Sequence, residues 1–292
     1  MMNRRTFLGA CAASASLGAP RRIIDTHTHF YDPSRPQGVP WPSKSDKVLY
    51  RTVLPKHFAE LTRPYGVTGT IKVEASAWLE DNQWVLDLAR DNPIVVGVVG
   101  HLDPASNDFR KYFDRFRKNK LFLGIRLGSR AIADGMGKPE FVANLKAMAE
   151  ARLELDAIGG TDLFAALARL TDRLPKLRVV INHLPFEPHG EDAAFRDLGK
   201  RPQVFAKVSG VLRKSGGRVP TDVGFYRESL DRMWENFGED RLVYGSNWPV
   251  SDLVAPYGAV IGLVKEYFAG KGVEAEEKYF WRNSVKAYGW KL

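Results

Sequence analysis

Eight short runs rich in Val, Ile and Leu recur along the 292 residues, at Ile23-Ile24, Thr70–Val73, Ile94–Val99, Leu121–Ile125, Leu153–Leu155, Arg178–Ile181, Val204–Val208 and Leu242–Tyr244. Helical periodicity separates successive runs, at Asn82–Arg90, Asp108–Asn119, Glu140–Ala151, Asp162–Leu174, Asp192–Lys200 and Phe225–Phe237, several of them opened by Asp or Asn suited to capping a first turn. Segments around Val260–Phe268 and Glu276–Tyr288 complete the helical set. Eight alternations of apolar strand and amphipathic helix predict an α/β chain closed as a (βα)8 TIM-type barrel. A doubly wound open sheet competes with it, but no Gly-rich phosphate loop follows an early strand. Neither an internal repeat nor a linker interrupts residues 21–292, so they read as one domain.

The first twenty residues stand apart. Arg4-Arg5-Thr6-Phe7-Leu8 leads into Gly, Ala, Ser and Leu with no acidic residue, the layout of a charged n-region before a modest apolar stretch. The pattern resembles a twin-arginine export signal, with Ala13-Ser14-Ala15 as a small-residue cleavage site, and it implies a periplasmic protein. A lipoprotein signal at Cys11 and a cytoplasmic chain are the alternatives. Removing Arg4 and Arg5 takes the formal charge from +9 to +7, so the basicity belongs to the barrel. Cys11 is the one cysteine, which excludes disulfides and thiolate chemistry from residues 21–292. The densest basic run, Arg110–Lys120, carries Tyr112, Phe113 and Phe116 at helical spacing and reads as an amphipathic helix, not a nucleic-acid surface. No stretch approaches a membrane span. The partner expected is therefore a small molecule; the oligomeric state is not set by the sequence.

A (βα)8 barrel carries its chemistry at the C-terminal ends of its strands, and polar residues collect there. Strand one ends in Asp25-Thr26-His27-Thr28-His29, strand two in Glu74, strand three in His101, and strand four in Gly124-Ile125-Arg126. Strand six ends in Asn182-His183, strand seven in Lys207-Val208-Ser209, and strand eight in Gly245-Ser246-Asn247-Trp248-Pro249. Four of the six histidines stand at these ends, whereas His57, beside a helix start, and His189, in a loop, read as structural. Alternation along a strand turns His27 and His29 together into the barrel mouth, with Thr26 and Thr28 outward. Two neutral imidazoles so placed suit one divalent ion, and nitrogen ligands favour Zn²⁺. The long segment Phe30–Leu54, with Pro33, Pro36 and Pro40-Trp41-Pro42, reads as a lid over that mouth or as an irregular surface excursion.

Five stretches resemble the amidohydrolase superfamily, in particular its amidohydrolase-2 branch of sugar-lactone hydrolases and related decarboxylases. They are Ile24–Pro33, Val98–Pro104, Gly124–Leu127, Val180–Pro185 and Arg241–Val250, in family order across the mature chain. The resemblance implies hydrolysis of a cyclic ester at a centre surrounded by the strand-one histidines, the strand-six histidine and a strand-eight aspartate that activates water. It also implies that Arg126 and His101 hold a carboxylate or hydroxyls of the substrate; Trp41 and Trp248 are the residues expected to supply apolar walls.

One position departs from the pattern. Where most such enzymes have Asp, strand eight has Asn247, and an amide neither takes a proton from water nor brings negative charge to a metal. Three arrangements stay open. Asp252 turns back into the mouth as base; or Glu74 or His183 takes the proton from a metal-bound water; or the site runs without metal, on His27, His29 and His183 with Arg126 beside the oxyanion. The candidate ligand set for a single ion is His27, His29, Glu74 and His183. The expectation is a lactonase of a sugar acid or related acid. Its alternatives are a decarboxylase or lactone isomerase on the same scaffold, and a binding barrel that has lost turnover.

Overall fold

A computed structural model describes residues 22–184 and 193–291. The expected export segment 1–20 with Cys11, the loop residue His189 and the expected helix start at Asp192 lie outside the described residues.

Eight parallel strands run in sequence order around one sheet: β1 Ile24–Thr28, β2 Gly69–Val73, β3 Val95–Gly100, β4 Phe122–Gly128, β5 Glu154–Ile158, β6 Val179–Leu184, β7 Val204–Val208 and β8 Leu242–Tyr244. The barrel closes between β1 and the residues after β8, where Asn247 N–H donates to His27 O and His29 N–H donates to Trp248 O, each at 2.9 Å. The seam of the barrel is thus built from expected site residues. Every apolar run became a strand, its start displaced by no more than one residue and its end carried as far as Thr28, Gly128, Ile158 and Leu184 in β1, β4, β5 and β6. Helices α1 Pro55–Thr62, α2 Leu79–Arg90, α3 Phe109–Phe116, α4 Ser129–Gly135, α5 Pro139–Glu150, α6 Asp162–Arg173, α7 Ala193–Leu198, α8 Val223–Phe237 and α9 Tyr257–Ala269 surround it. The segment expected at Glu276–Tyr288 divides into α10 Val273–Glu277, a π-helical turn Lys278–Arg282 and α11 Asn283–Tyr288. The capping expectation fails: Asp108 occupies the N-cap position of α3 but makes no side-chain cap bond, and Asn82 and Asp162 lie within α2 and α6, past their N-caps.

Two cores follow from strands buried on both faces. The outer one packs the amphipathic helices on the sheet; in α3, Phe109, Phe113 and Phe116 face inward, leaving the basic side chains outside. The inner one fills the barrel with Ile24, Ile71, Val99, Leu123, Val180, Phe205 and Val243, and Tyr288 and Trp290 of the C-terminal tail pack against it. Since Ile24, Leu123 and Phe205 begin their strands, the tail seals the end opposite the candidate site.

Candidate functional site

At the C-terminal ends of the strands lies a cavity of about 370 Å³ lined by His29, Pro40, Trp41, Glu74, Ala75, Ser76, Ala77, Arg126, Ile158, His183, Asn247 and Val250. Of the expected residues, the fold brings His29, Glu74, Arg126, His183, Asn247 and Trp41 to it. Pro40 and Trp41 come from the long β1–α1 segment, whose two ends pair with each other through Tyr31 and Val53 and whose Trp41 indole lies 5.8 Å from the His29 ring. That segment is a wall of the cavity.

Other expected residues lie elsewhere. The Asp252 carboxylate pairs with Arg51 at 2.9 Å and does not line the cavity, so the base that would turn back into the mouth does not reach it. Trp248 is buried against Phe30 and Phe58, in the aromatic layer between barrel and α1, and forms no cavity wall. His101 has its backbone N–H and C=O held by Asn82 of α2 and is not among the lining residues. His27 is fully buried, its ring 5.0 Å from His29 and 4.3 Å from His183. The β1–β2 register shifts by one residue between Asp25 and Thr28, and His27, unlike His29, does not line the cavity. Thr26 and Thr28 are equally buried, donating to Tyr244 O and sharing a hydrogen bond with Thr70.

Among the described residues, three other than glycine take positive φ, and two of them, His183 at 57° and Asn247 at 62°, line the cavity. Asn adopts this region readily; a histidine held there carries strain, the kind that concentrates at functional sites.

The hydrogen bonds fix much of the chemistry. His29 Nδ1–H donates to Val73 O at 3.1 Å, and because a carbonyl only accepts, the neutral ring keeps a lone pair on Nε2, 3.3 Å from the Asn247 amide oxygen. An amide turned end for end donates to that lone pair. His183 Nδ1 lies 2.9 Å from the Ser209 hydroxyl. Arg126 donates through Nε to Glu74 Oε1 and through Nη2 to Glu74 O, both at 2.9 Å, so its charge is already offset by a carboxylate. Burial lowers His29 well below the usual histidine range, helped by Arg126 and Lys72, and lowers His183 to about 3, helped by Lys207 and Arg126. Both imidazoles are neutral at physiological pH.

Sequence reasoning missed what lies beneath the cavity floor. Lys207 is wholly buried inside the barrel, where its Nζ donates to Asp156 Oδ2 at 2.9 Å, His27 Nδ1 at 3.2 Å and Asn182 Oδ1 at 3.2 Å. Tyr288 OH donates to Asp156 Oδ1 at 3.0 Å. Burial, then Asp156, pushes the neighbouring Glu154 carboxyl well above its ordinary range, so it is held neutral. The available signal was Glu154-Leu155-Asp156: two acids at period two in a buried strand need an interior cation.

The donor set does not fit a divalent ion. A metal-binding histidine directs its second ring nitrogen to an acceptor, whereas His27 Nδ1 faces the Lys207 ammonium. Asn247 brings no charge, Glu74 is committed to Arg126, and among the described residues no group of three or more His, Cys, Asp or Glu is placed to hold a metal. No chemical step below passes through an ion.

The family model Amidohydro_2, described as amidohydrolase, matches residues 24–290. An L-fucono-1,5-lactonase of Burkholderia ambifaria is 30% identical over 243 residues, covering 80% of this chain and 83% of the relative. A second L-fucono-1,5-lactonase, of Burkholderia multivorans, is 27% identical over 91% of this chain and 94% of its own length. In three dimensions the chain is similar to an amidohydrolase from Burkholderia multivorans with bound zinc, with a TM-score of 0.80 at 23% identity over 92% of this chain and 99% of that one. With the family pattern running from the first strand to the C-terminal plug, over a barrel whose strand ends carry the cavity, the chain belongs to the amidohydrolase family Amidohydro_2.

Proposed function

We propose that the chain hydrolyses an uncharged, polyhydroxylated sugar lactone without a metal ion. The observation that carries this reading is the cavity itself: an unprotonated imidazole nitrogen on His29 and the Asn247 amide stand beside an Arg126–Glu74 pair in a space that can take a monosaccharide ring. The two lactonase relatives support the same chemistry.

In this mechanism water held by His29 Nε2 and the Asn247 amide adds to the ring carbonyl carbon. His29 takes its proton, and the carbonyl oxygen gains the negative charge within the field of Arg126. Collapse breaks the ring C–O bond, and the proton passes from His29 to the released alkoxide, giving the open hydroxy acid. Glu74 accepts hydrogen bonds from substrate hydroxyls, and Trp41, Pro40, Ile158 and Val250 cover the apolar face. Arg126 is offset by Glu74, which favours a neutral lactone over a carboxylate-bearing one.

A binding pocket without turnover is the second reading, favoured by Asn247 in place of a carboxylate. Export to the periplasm rests on the Arg4-Arg5 segment. The deciding experiment follows proton release with a pH indicator over a panel of sugar lactones and carboxylated pyrones. Acid release from neutral lactones supports the proposal; binding without acid release supports the second reading, and preference for carboxylated rings rejects the assignment of charge.

A further inference from the structure

Lys207 is a buried cation with no part in the hydrolysis as described above, and it touches a histidine of the site. An ammonium has three hydrogens and no lone pair. Asp156 Oδ2, Asn182 Oδ1 and His27 Nδ1 lie at 2.9, 3.2 and 3.2 Å from Nζ and account for all three. His27 Nδ1 is therefore an acceptor, and the proton of the neutral ring sits on Nε2. That Nε2 is buried and has no hydrogen-bond partner among the described residues. Its ring packs against those of His29 and His183, both of which line the cavity. His29, two residues on, has the opposite arrangement, because Val73 O takes its Nδ1 proton. A buried N–H without an acceptor is unfavourable until an oxygen reaches it.

We propose that Lys207 is a positioning residue: it fixes His27 with its proton on Nε2, behind the cavity-lining rings of His29 and His183, while Val73 fixes His29 as the acceptor for water. Asp156 and Asn182 anchor the ammonium, and Tyr288, from the C-terminal tail, anchors Asp156. Two imidazoles on one strand are thereby set in advance in opposite tautomers. The catalytic half of this inference rests on the lactonase reading; the tautomer half does not.

The test is nitrogen NMR of the whole protein labelled at histidine, with kinetics on two double variants. Asp156→Asn accompanies each lysine change so that no buried carboxylate is left unpaired. Lys207→Met/Asp156→Asn removes the donor; Lys207→Gln/Asp156→Asn removes the charge but keeps an N–H for His27. The parent is expected to show His27 protonated on Nε2 and His29 on Nδ1. The Met variant should lose the His27 preference and fall about tenfold or more in kcat with little change in KM, and the Gln variant should recover most of that loss. A parent His27 protonated on Nδ1, or Met and Gln variants alike in tautomer and kcat, overturns the proposal. If the variants do not fold, the parent spectrum decides. If the parent hydrolyses no lactone, the lactonase reading fails while the tautomer measurement still judges Lys207.

Discussion

In the proposed hydrolysis, Asn247 is the residue on which turnover would depend most directly. Its positive φ suits Asn and Asp alike, and its amide meets His29 Nε2 at 3.3 Å, so replacement by Asp exchanges an amide for a carboxylate without asking the backbone to move. The carboxylate would supply a stronger base and raise the His29 pKa by opposite charge. Asn247→Asp is expected to increase kcat for sugar lactones about tenfold or more, measured by proton release, given that a positioned general base contributes roughly 10²–10⁴-fold. An unchanged or lower kcat would place the water elsewhere in the cavity. At this scale the sequence was legible where a residue ends a strand and points along the barrel, as for Arg126, His183 and Asn247. It misled after the strand ended: Trp248 and Asp252 follow Asn247 closely, yet the left-handed turn there sends one into the aromatic layer and the other to Arg51.

The elements that hold the site meet at the β1–β8 seam, and Asp25 ties them together. Its Oδ1 accepts from Ser246 N–H at 2.9 Å and His27 N–H at 3.1 Å, and its Oδ2 accepts from Tyr257 OH of α9 at 3.1 Å. Burial outweighs these bonds and raises its pKa from an ordinary 3.8 to about 6. A raised carboxyl pKa means that the folded chain binds the proton more tightly. The stability it contributes is full below about 3.8, falls as pH rises towards 6 and is gone above it. Asp25→Asn has no such titration. The stability gap between parent and variant, measured by denaturant unfolding, is expected to be largest near pH 4 and to shrink by roughly 3 kcal/mol at pH 8. A gap independent of pH would show that burial does not perturb Asp25. The apolar pair Ile23-Ile24 was enough to predict a strand here; it did not predict the register shift between Asp25 and Thr28, since that shift depends on pairing with β2.

Across the whole molecule, charge is arranged around the site so that cations outnumber the carboxylates able to bind metal. Lys207 lies beneath His27 and Arg126 beside the cavity, and burial, helped by these two cations, keeps His27 and His183 neutral without calling for an ion. Lactone hydrolysis is therefore expected to survive prolonged dialysis against a chelator, and added Zn²⁺ to leave kcat within about twofold, well short of the tenfold that 1.4 kcal/mol represents. Loss of activity on chelation with recovery on Zn²⁺ would reject the metal-free site.

The succession of apolar runs and amphipathic helices determined the barrel and, with it, the end at which chemistry collects, because strand and helix periods are local properties of the chain. Only the tertiary structure decided which of the strand-end residues share a cavity, and which proton each imidazole carries. Those depend on partners distant in sequence, Val73 for His29 and Lys207 for His27, brought within hydrogen-bond reach by the closure of the barrel.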